Sequence, residues 1–281
     1  MIERWWVDEE RRDSLPVPLR VADWMQPAPG REVLSSDRQS AAMLLSGETP
    51  LLVKWRCPLA SRAKRTFLRP SRERLEARAA LRLRALGIDT PAPWAVGELR
   101  HCGTLLGAVL VRGFDVAAHN ARDVARTRPE AIDVCAAALA GWHERGFRHG
   151  DCYLKNILLD ETDAGPRPIG FPKARFVRPG AALDRARRKD LAQFAAGIAE
   201  LDAAAEPFAF LTAYLAATKG LPSEEVVVAQ ARPAFERVMA RKRDRIASRP
   251  TREPDGPPAP KPLPPGFGSS GKARVASLAG L

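Results

Sequence analysis

His149-Gly150-Asp151-Cys152-Tyr153-Leu154-Lys155-Asn156 runs directly into the apolar segment Ile157-Leu158-Leu159. A carboxylate and a carboxamide five residues apart, on a loop that feeds a strand, suit one kind of chemistry. Asp151 can accept the proton of an attacking hydroxyl, and Asn156 can hold a magnesium ion at a phosphate. Fourteen residues beyond Asn156 the chain reads Ile169-Gly170-Phe171-Pro172. Gly170 stands where a second metal-binding carboxylate is expected.

Upstream, two further charges belong to the same pattern. Leu51-Leu52-Val53-Lys54-Trp55 places Lys54 in an apolar strand, where an unpaired ammonium would be costly. The spacing predicts a helix over Ser71–Leu86, with Ser71 as N-cap after Pro70 and Gly87 just past its end. On a 3.6-residue wheel Glu76 shares a stripe with Ala79, Ala80 and Leu83, flanked by Leu75 and Leu86. A Lys54–Glu76 pair satisfies both charges and aims the ammonium at nucleotide phosphates.

The 281 residues suit one bilobal unit or two modest domains. Residues 1–30 read as a partly ordered leader. Residues 31–112 read as an N-terminal lobe, an antiparallel sheet with one main helix. Its strands are expected at 31–35, 41–46, 51–55, 94–99 and 104–111, with a turn over Ser46–Pro50. A hinge at Arg112-Gly113-Phe114-Asp115 leads into a mainly helical lobe, 113–247. Helices are expected there at 129–145, 184–201, 206–218 and 223–247, the last broken at Pro233. From 248 to 281 there are eight prolines and five glycines in 34 residues, the composition of a disordered, partly polyproline tail.

The formal charge of +12 is mostly arginine, and it is clustered. Arg56, Arg62, Lys64, Arg65, Arg69, Arg72 and Arg74 face a single acid, Glu73, within 56–74. Such a field favours an anionic partner. No RNP, zinc-finger or helix-turn-helix signature points to nucleic acid. The longest apolar runs, 105–111 and 134–142, are too short to span a bilayer. The N-terminus lacks the basic and apolar regions of a signal peptide. Cys57, Cys102, Cys135 and Cys152 form no CxxC pair, so a reducing cytosol is expected. His101, Cys102 and His143 do not stand at zinc spacing and read as loop and helix-surface residues.

Lys54, the segment Glu76–Pro91, the loop His149–Leu159 and Arg188-Lys189-Asp190-Leu191-Ala192-Gln193-Phe194 together resemble the lipopolysaccharide kinase (Kdo/WaaP) family, over roughly residues 31–245. The resemblance implies an α+β, bilobal protein-kinase-like fold. It implies ATP and Mg2+ as cofactors and a sugar hydroxyl of the lipopolysaccharide core, in an anionic glycolipid, as acceptor. It places the chain in the cytoplasm, at the inner face of a Gram-negative inner membrane. Carried over, Asp151 is the base or hydroxyl-orienting group, and Asn156 a magnesium ligand. Lys54 contacts the α/β-phosphates and Glu76 positions it. Asp190 is a structural carboxylate that holds the catalytic loop. Ser36, in the segment Ser35–Ser40, would cover the phosphates, although no glycine there lets the backbone approach them closely.

The family's next segment usually reads Ile-Asp-(Phe/Leu), and Gly170 departs from it. Asp160 and Asp163 lie nearby in sequence, on a turn expected to point them away. Two alternatives therefore accompany the phosphotransferase reading. One is a pseudokinase that acts as a binding or scaffolding module. The other is a small-molecule phosphotransferase of the aminoglycoside type, which would carry an acid-lined acceptor pocket in its C-terminal lobe.

Overall fold

The computed structural model describes residues 1–15, 19–25, 31–36, 40–58, 65–160, 165–179, 183–202, 204–248, 274–278 and 281. The chain divides into two compact units. One comprises Met1–Arg82, Pro91–Asp115 and the described residues of Glu253–Leu281; the other comprises Leu83–Thr90 and Val116–Arg252.

The first unit is built on a seven-stranded sheet. Its strands are β1 (Ile2–Val7), β2 (Arg31–Ser36), β3 (Ser40–Leu45), β4 (Leu51–Arg56), β5 (Pro93–His101), β6 (Thr104–Gly113) and a C-terminal strand, Arg274–Ser277. Their spatial order is C-terminal strand, β1, β5, β6, β4, β3, β2. All neighbours are antiparallel except β1 and the C-terminal strand, which run parallel with Trp5 opposite Val275. The five strands expected between 31 and 111 are therefore present, each displaced at its ends by two residues or fewer.

Alternation along the strands sorts the side chains onto two faces. Trp5, Met43, Val53, Trp55, Val109 and Val111 share a core with the short helix α1 (Val21–Trp24), whose Val21 and Trp24 are buried. Trp6, Val96 and Leu110 point the other way, where Ala77 of helix α2 (Arg72–Ala85) and Leu278 cover them. Lys54 lies between Val53 and Trp55, so the two-residue period turns it to this second face, towards α2.

Two expectations about the ends of the chain are corrected here. Within the stretch read as a leader, Ile2–Val7 is an internal strand, and Trp5 and Val7 are fully buried. Both faces of β1 are covered, so its sequence shows no clean polar–apolar alternation. Within the stretch read as a disordered tail, Arg274–Ser277 pairs with β1 and Leu278 is buried. A four-residue strand is invisible against the surrounding proline and glycine.

The second unit is mainly helical: α3 (Ala121–Val124), α4 (Ala131–Glu144), α5 (Arg185–Leu201), α6 (Leu211–Ala216) and α7 (Glu224–Ala247). Short strands β7 (His119–Asn120), β8 (Phe147–Arg148), β9 (Ile157–Leu159), β10 (Arg167–Pro168) and β11 (Arg175–Phe176) pair as β10-β9-β7 and β11-β8. The α7 helix runs through Pro233 without the expected break. It is held on both sides of the proline: Val227 and Ala231 are buried before it, and Lys242 pairs with Glu200 of α5 after it. Packing on α5 offsets the lost backbone hydrogen bond. Among the described residues no helix is long and apolar enough to cross a membrane.

Since Trp5 fills the centre of the first unit's core, Trp5→Ala should cost about 3–5 kcal/mol of stability. Chemical denaturation of the variant against the native chain reads this directly; a loss under about 1 kcal/mol would show that β1 is not integral to the unit.

Candidate active site

In the first unit the expected charge pair is present. Lys54 Nζ donates to Glu76 Oε1 at 2.9 Å, and Arg112 approaches the same oxygen at 3.6 Å. Two residues further along β4, Arg56 Nε donates to Glu73 Oε1 at 3.2 Å. Glu73 and Glu76 lie one helical turn apart and meet strand positions two apart, so β4 and α2 are joined by two parallel ion pairs. Glu73 is buried, and desolvation raises its pKa above the usual carboxylate range against the pull of Arg56. Burial likewise lowers the Arg112 pKa, and Glu76 counters it. The buried stripe of α2 is thus Glu73, Glu76, Ala77, Ala80 and Leu83, whereas Leu75 and Leu86 are exposed.

The basic stretch around these pairs is used in part internally. Arg56 is engaged by Glu73, and the Arg74 guanidinium lies 4.1 Å from the centre of the Trp6 ring. Arg62 and Lys64 lie outside the described residues, as do Asp37, Arg38 and Gln39 of the phosphate-covering segment. Ser36 ends β2, and its side chain is likewise outside the described set.

In the second unit, the loop after β8 is organised by one buried carboxylate. Asp190, on α5, has no exposed surface. It accepts the His149 N–H at 2.7 Å, the Gly150 N–H at 2.8 Å and His143 Nε2 at 3.3 Å. Gln193, one turn on, accepts the Cys152 N–H at 3.0 Å. Lys189 Nζ donates to the Gly150 carbonyl at 2.6 Å. Lys189, Asp190 and Gln193, on two consecutive turns of α5, therefore fix the backbone from 149 to 152. Gly150 has φ +76°, and a Cβ there would fall 2.5 Å from the Lys173 carbonyl oxygen, so only glycine fits.

Below the loop lies a second chain of buried polar groups. His143 Nδ1 is 2.7 Å from the Tyr214 hydroxyl, which also accepts from Arg187 Nε, while Arg187 pairs with Glu144 at 3.1 Å. Asp190 offers only acceptors, so His143 carries its proton on Nε2 and accepts from Tyr214 at Nδ1. Burial pushes the His143 pKa down to about 4, with Asp190 opposing it. The sequence reading placed His143 on a helix surface. It is instead fully buried, and Arg187, Tyr214 and Gln193 join it as positioning residues that no local motif announced. Arg148 donates to Asp184, the N-cap of α5, at 3.0 Å, so the strand before the loop and the helix behind it are also tied.

Asp151 is the outward-facing carboxylate of this loop. Its side chain is 33% exposed, and Lys173 Nζ lies 3.8 Å from Oδ1. Its N–H donates to His149 Nδ1 at 3.3 Å, so His149 supports the backbone of its own loop. Burial holds the His149 pKa below its ordinary value. Asn156 Nδ2 donates to the Asp151 carbonyl at 2.8 Å, which brings the two expected residues together. Cys152 is buried and its pKa is raised well above the ordinary thiol value, chiefly by desolvation, so it is no reactive thiol.

The segment at Gly170 packs against the loop. Phe171 meets His149 edge-on at 5.8 Å and Phe147 at 5.9 Å, and the Ile169 N–H donates to the Asn156 carbonyl. With Nδ2 engaged, Asn156 Oδ1 is the atom left to face a cation. It points at Gly170: a Cβ built there would lie 3.2 Å from it. Gly170 itself has φ +68°, a conformation that side chains rarely adopt. Asp160 is nearly buried and paired with Arg167 at 3.3 Å; Asp163 lies outside the described residues. Among the described residues no group of three or more His, Cys, Asp or Glu side chains could hold a metal. One amide oxygen and Asp151 fall short of the oxygen-rich set magnesium requires, so the residues present do not fit the two-ligand site that the resemblance implies.

The buried neutral His143 makes stability pH-dependent. The unfolded chain protonates this group near 6.5 and the folded one only near 4, so stability is full above pH 6.5 and lost as pH falls towards 4. The share of this one group is about 3 kcal/mol. His143→Gln keeps a donor for Asp190 and should show a shallower loss of stability than the native chain between about pH 7 and about pH 4. His149 contributes with the same sign in both proteins. Identical slopes in the two unfolding series would remove His143 from this role.

Comparisons with known proteins agree with this geometry. The family model for the lipopolysaccharide kinase (Kdo/WaaP) family matches residues 59–214, which include Glu76, Asp151, Asn156, Gly170 and Asp190. Among curated proteins none matches the sequence significantly. Among solved structures, one described as WaaP in complex with acyl carrier protein superposes with a TM-score of 0.54 at 17% identity. That alignment covers 86% of this chain and 99% of the other, and it identifies the fold as protein-kinase-like. With more than half of its length matched by the family model, the chain belongs to the lipopolysaccharide kinase (Kdo/WaaP) family.

Proposed function

We propose that this chain is an ATP-dependent phosphotransferase that moves a phosphoryl group to a sugar hydroxyl of an anionic glycolipid at the cytoplasmic face of the inner membrane. The observation that carries the reading is Asp151, a partly exposed carboxylate on a loop whose backbone is held rigid from behind. A base must lie within hydrogen-bond reach of the hydroxyl it serves, and a rigid loop removes the entropic cost of placing it there. In this reading Asp151 orients the acceptor hydroxyl and takes its proton. Lys54, held by Glu76, supplies a fixed positive charge to the nucleotide phosphates. Asn156 keeps Asp151 in place through the loop carbonyl and presents its own oxygen outward.

Gly170 favours a second reading, a pseudokinase that binds nucleotide or partner without turnover. The structure-based reason is specific: no carboxylate stands at 170, and one introduced there would crowd Asn156 Oδ1. The aminoglycoside-type alternative finds less support, because the cavity beside the loop is lined by cations rather than acids.

Nucleotide binding and turnover, with and without magnesium, separate these readings. The native chain should bind ATP and turn over. Asp151→Ala should keep nucleotide binding and lose about a hundredfold or more in turnover. Lys54→Met should weaken nucleotide binding. Gly170→Asp should raise metal-dependent turnover at a stability cost of about 1 kcal/mol from its left-handed backbone. A native chain that binds ATP but gives no phosphate transfer, with transfer appearing in Gly170→Asp, identifies the pseudokinase. A native chain that does not bind ATP, or whose transfer is untouched by Asp151→Ala, sinks the proposal.

A further inference from the structure

The second unit contains a cavity of about 680 Å³, one wall of which is the loop itself at Gly150. Seven cationic side chains line it: Arg148 from β8, Lys173 and Arg175 from the segment after Gly170, Arg185 and Lys189 from α5, and Arg237 and Arg241 from α7. Among the described residues no acid contributes to the lining. Of these cations, Arg148 is matched by Asp184, and elsewhere in this unit Arg187 is matched by Glu144, Arg167 by Asp160 and Lys242 by Glu200. Among the described residues, Arg175, Arg185, Arg237 and Arg241 have no carboxylate partner.

Seven positive charges gathered around one cavity, with Arg148 alone offset by a carboxylate partner of its own at Asp184, repel one another, and the fold tolerates them only with an anion present or at a cost in stability. Burial lowers the Lys189 pKa, and Lys173 and Arg175 push it the same way. Guanidinium groups recognise phosphate bidentately, and one phosphate engages two or three of them at most. Arg175, Arg185 and the pair Arg237 and Arg241, arriving from three separate segments, therefore call for at least two phosphates held apart on one scaffold. The volume suits a ligand of sugar size. Among the described residues the lining has no aromatic side chain on which a base could stack, which disfavours single-stranded nucleic acid. Lys173 connects the cavity to the chemistry, because its ammonium also approaches Asp151.

We propose that this cavity is the acceptor site and that it selects an acceptor carrying two or more phosphate groups, read by Arg175, Arg185, Arg237 and Arg241. The inference rests on the phosphotransferase reading of Asp151 and names the substrate class of that same loop. The phosphates could sit on a soluble sugar or on a lipid headgroup; the chemistry recognised is shared.

The test is calorimetric titration of the full chain, without nucleotide, with fructose bisphosphate and with the corresponding monophosphate. A parallel arm measures sedimentation with phosphatidylcholine vesicles, plain or containing a phosphoinositide bisphosphate. The native chain should bind the bisphosphate about tenfold or more tighter than the monophosphate, and R175Q/R237Q/R241Q should lose about a hundredfold. Should the triple variant unfold, R237Q and R241Q singly, on an exposed helix face, carry the same expectation at about tenfold each. Binding to doped vesicles alone assigns the phosphates to a lipid, and binding to the free sugar alone assigns them to a soluble acceptor; either supports the site. Equal affinity for mono- and bisphosphate, or binding unchanged by the arginine substitutions, overturns it. Lys54→Met should bind the bisphosphate as the native chain does. A native chain that binds no nucleotide but keeps its bisphosphate selectivity would count against the phosphotransferase reading alone.

Discussion

The Asp190 carboxylate is the constraint on which the second unit depends. A fully buried carboxylate is stable only when its lone pairs are occupied, and here two consecutive backbone N–H groups and one imidazole occupy them. The arrangement works in both directions. The loop satisfies the carboxylate, and the carboxylate forces the left-handed turn at Gly150 that brings Asp151 to the surface. His143, Tyr214 and Arg187 extend the same network into the core, so α4, α5 and α6 all bear on the position of one loop. Removing one member would strand a buried polar group, which is why such networks fail as units.

The first unit solves a related problem with opposite means. Lys54 and Arg56 project from a strand towards a helix that presents Glu76 and Glu73, and the match of strand and helix periods lets both pairs close at once. Burial makes each charge costly alone, so the pairs set the register of α2 on the sheet as much as they stabilise it. The Lys54 ammonium is thereby held in one direction rather than left to wander.

At Gly170 backbone and chemistry argue together. The residue adopts a conformation suited to glycine, packs its neighbour Phe171 under the loop, and leaves the Asn156 oxygen facing an open side. The loop keeps Asp151 partly exposed and tied to Asn156, while position 170 adds no carboxylate. The cationic cavity beside it and the Lys173 ammonium near Asp151 give this loop an electropositive surrounding of its own.

The sequence by itself determined the elements and residues whose signals are local. Strand alternation, the Ser71 and Gly87 helix signals, and the Asp151–Asn156 spacing are all readable within a few residues, and they located both the sheet and the loop. Lys54 and Glu76 could be paired from sequence because an isolated buried charge demands a partner. Only the tertiary structure decided what depends on long-range contacts. The strand at Ile2–Val7 is recognisable once β5 and the C-terminal strand flank it. His143 changes from a surface residue to a core one because Tyr214, 71 positions away, folds onto it. The basic cavity draws on four segments between 148 and 241, so arginines that look like scattered surface charge converge on one wall. Periodicity is a property of neighbours in the chain, whereas satisfaction of buried polar groups is a property of neighbours in space.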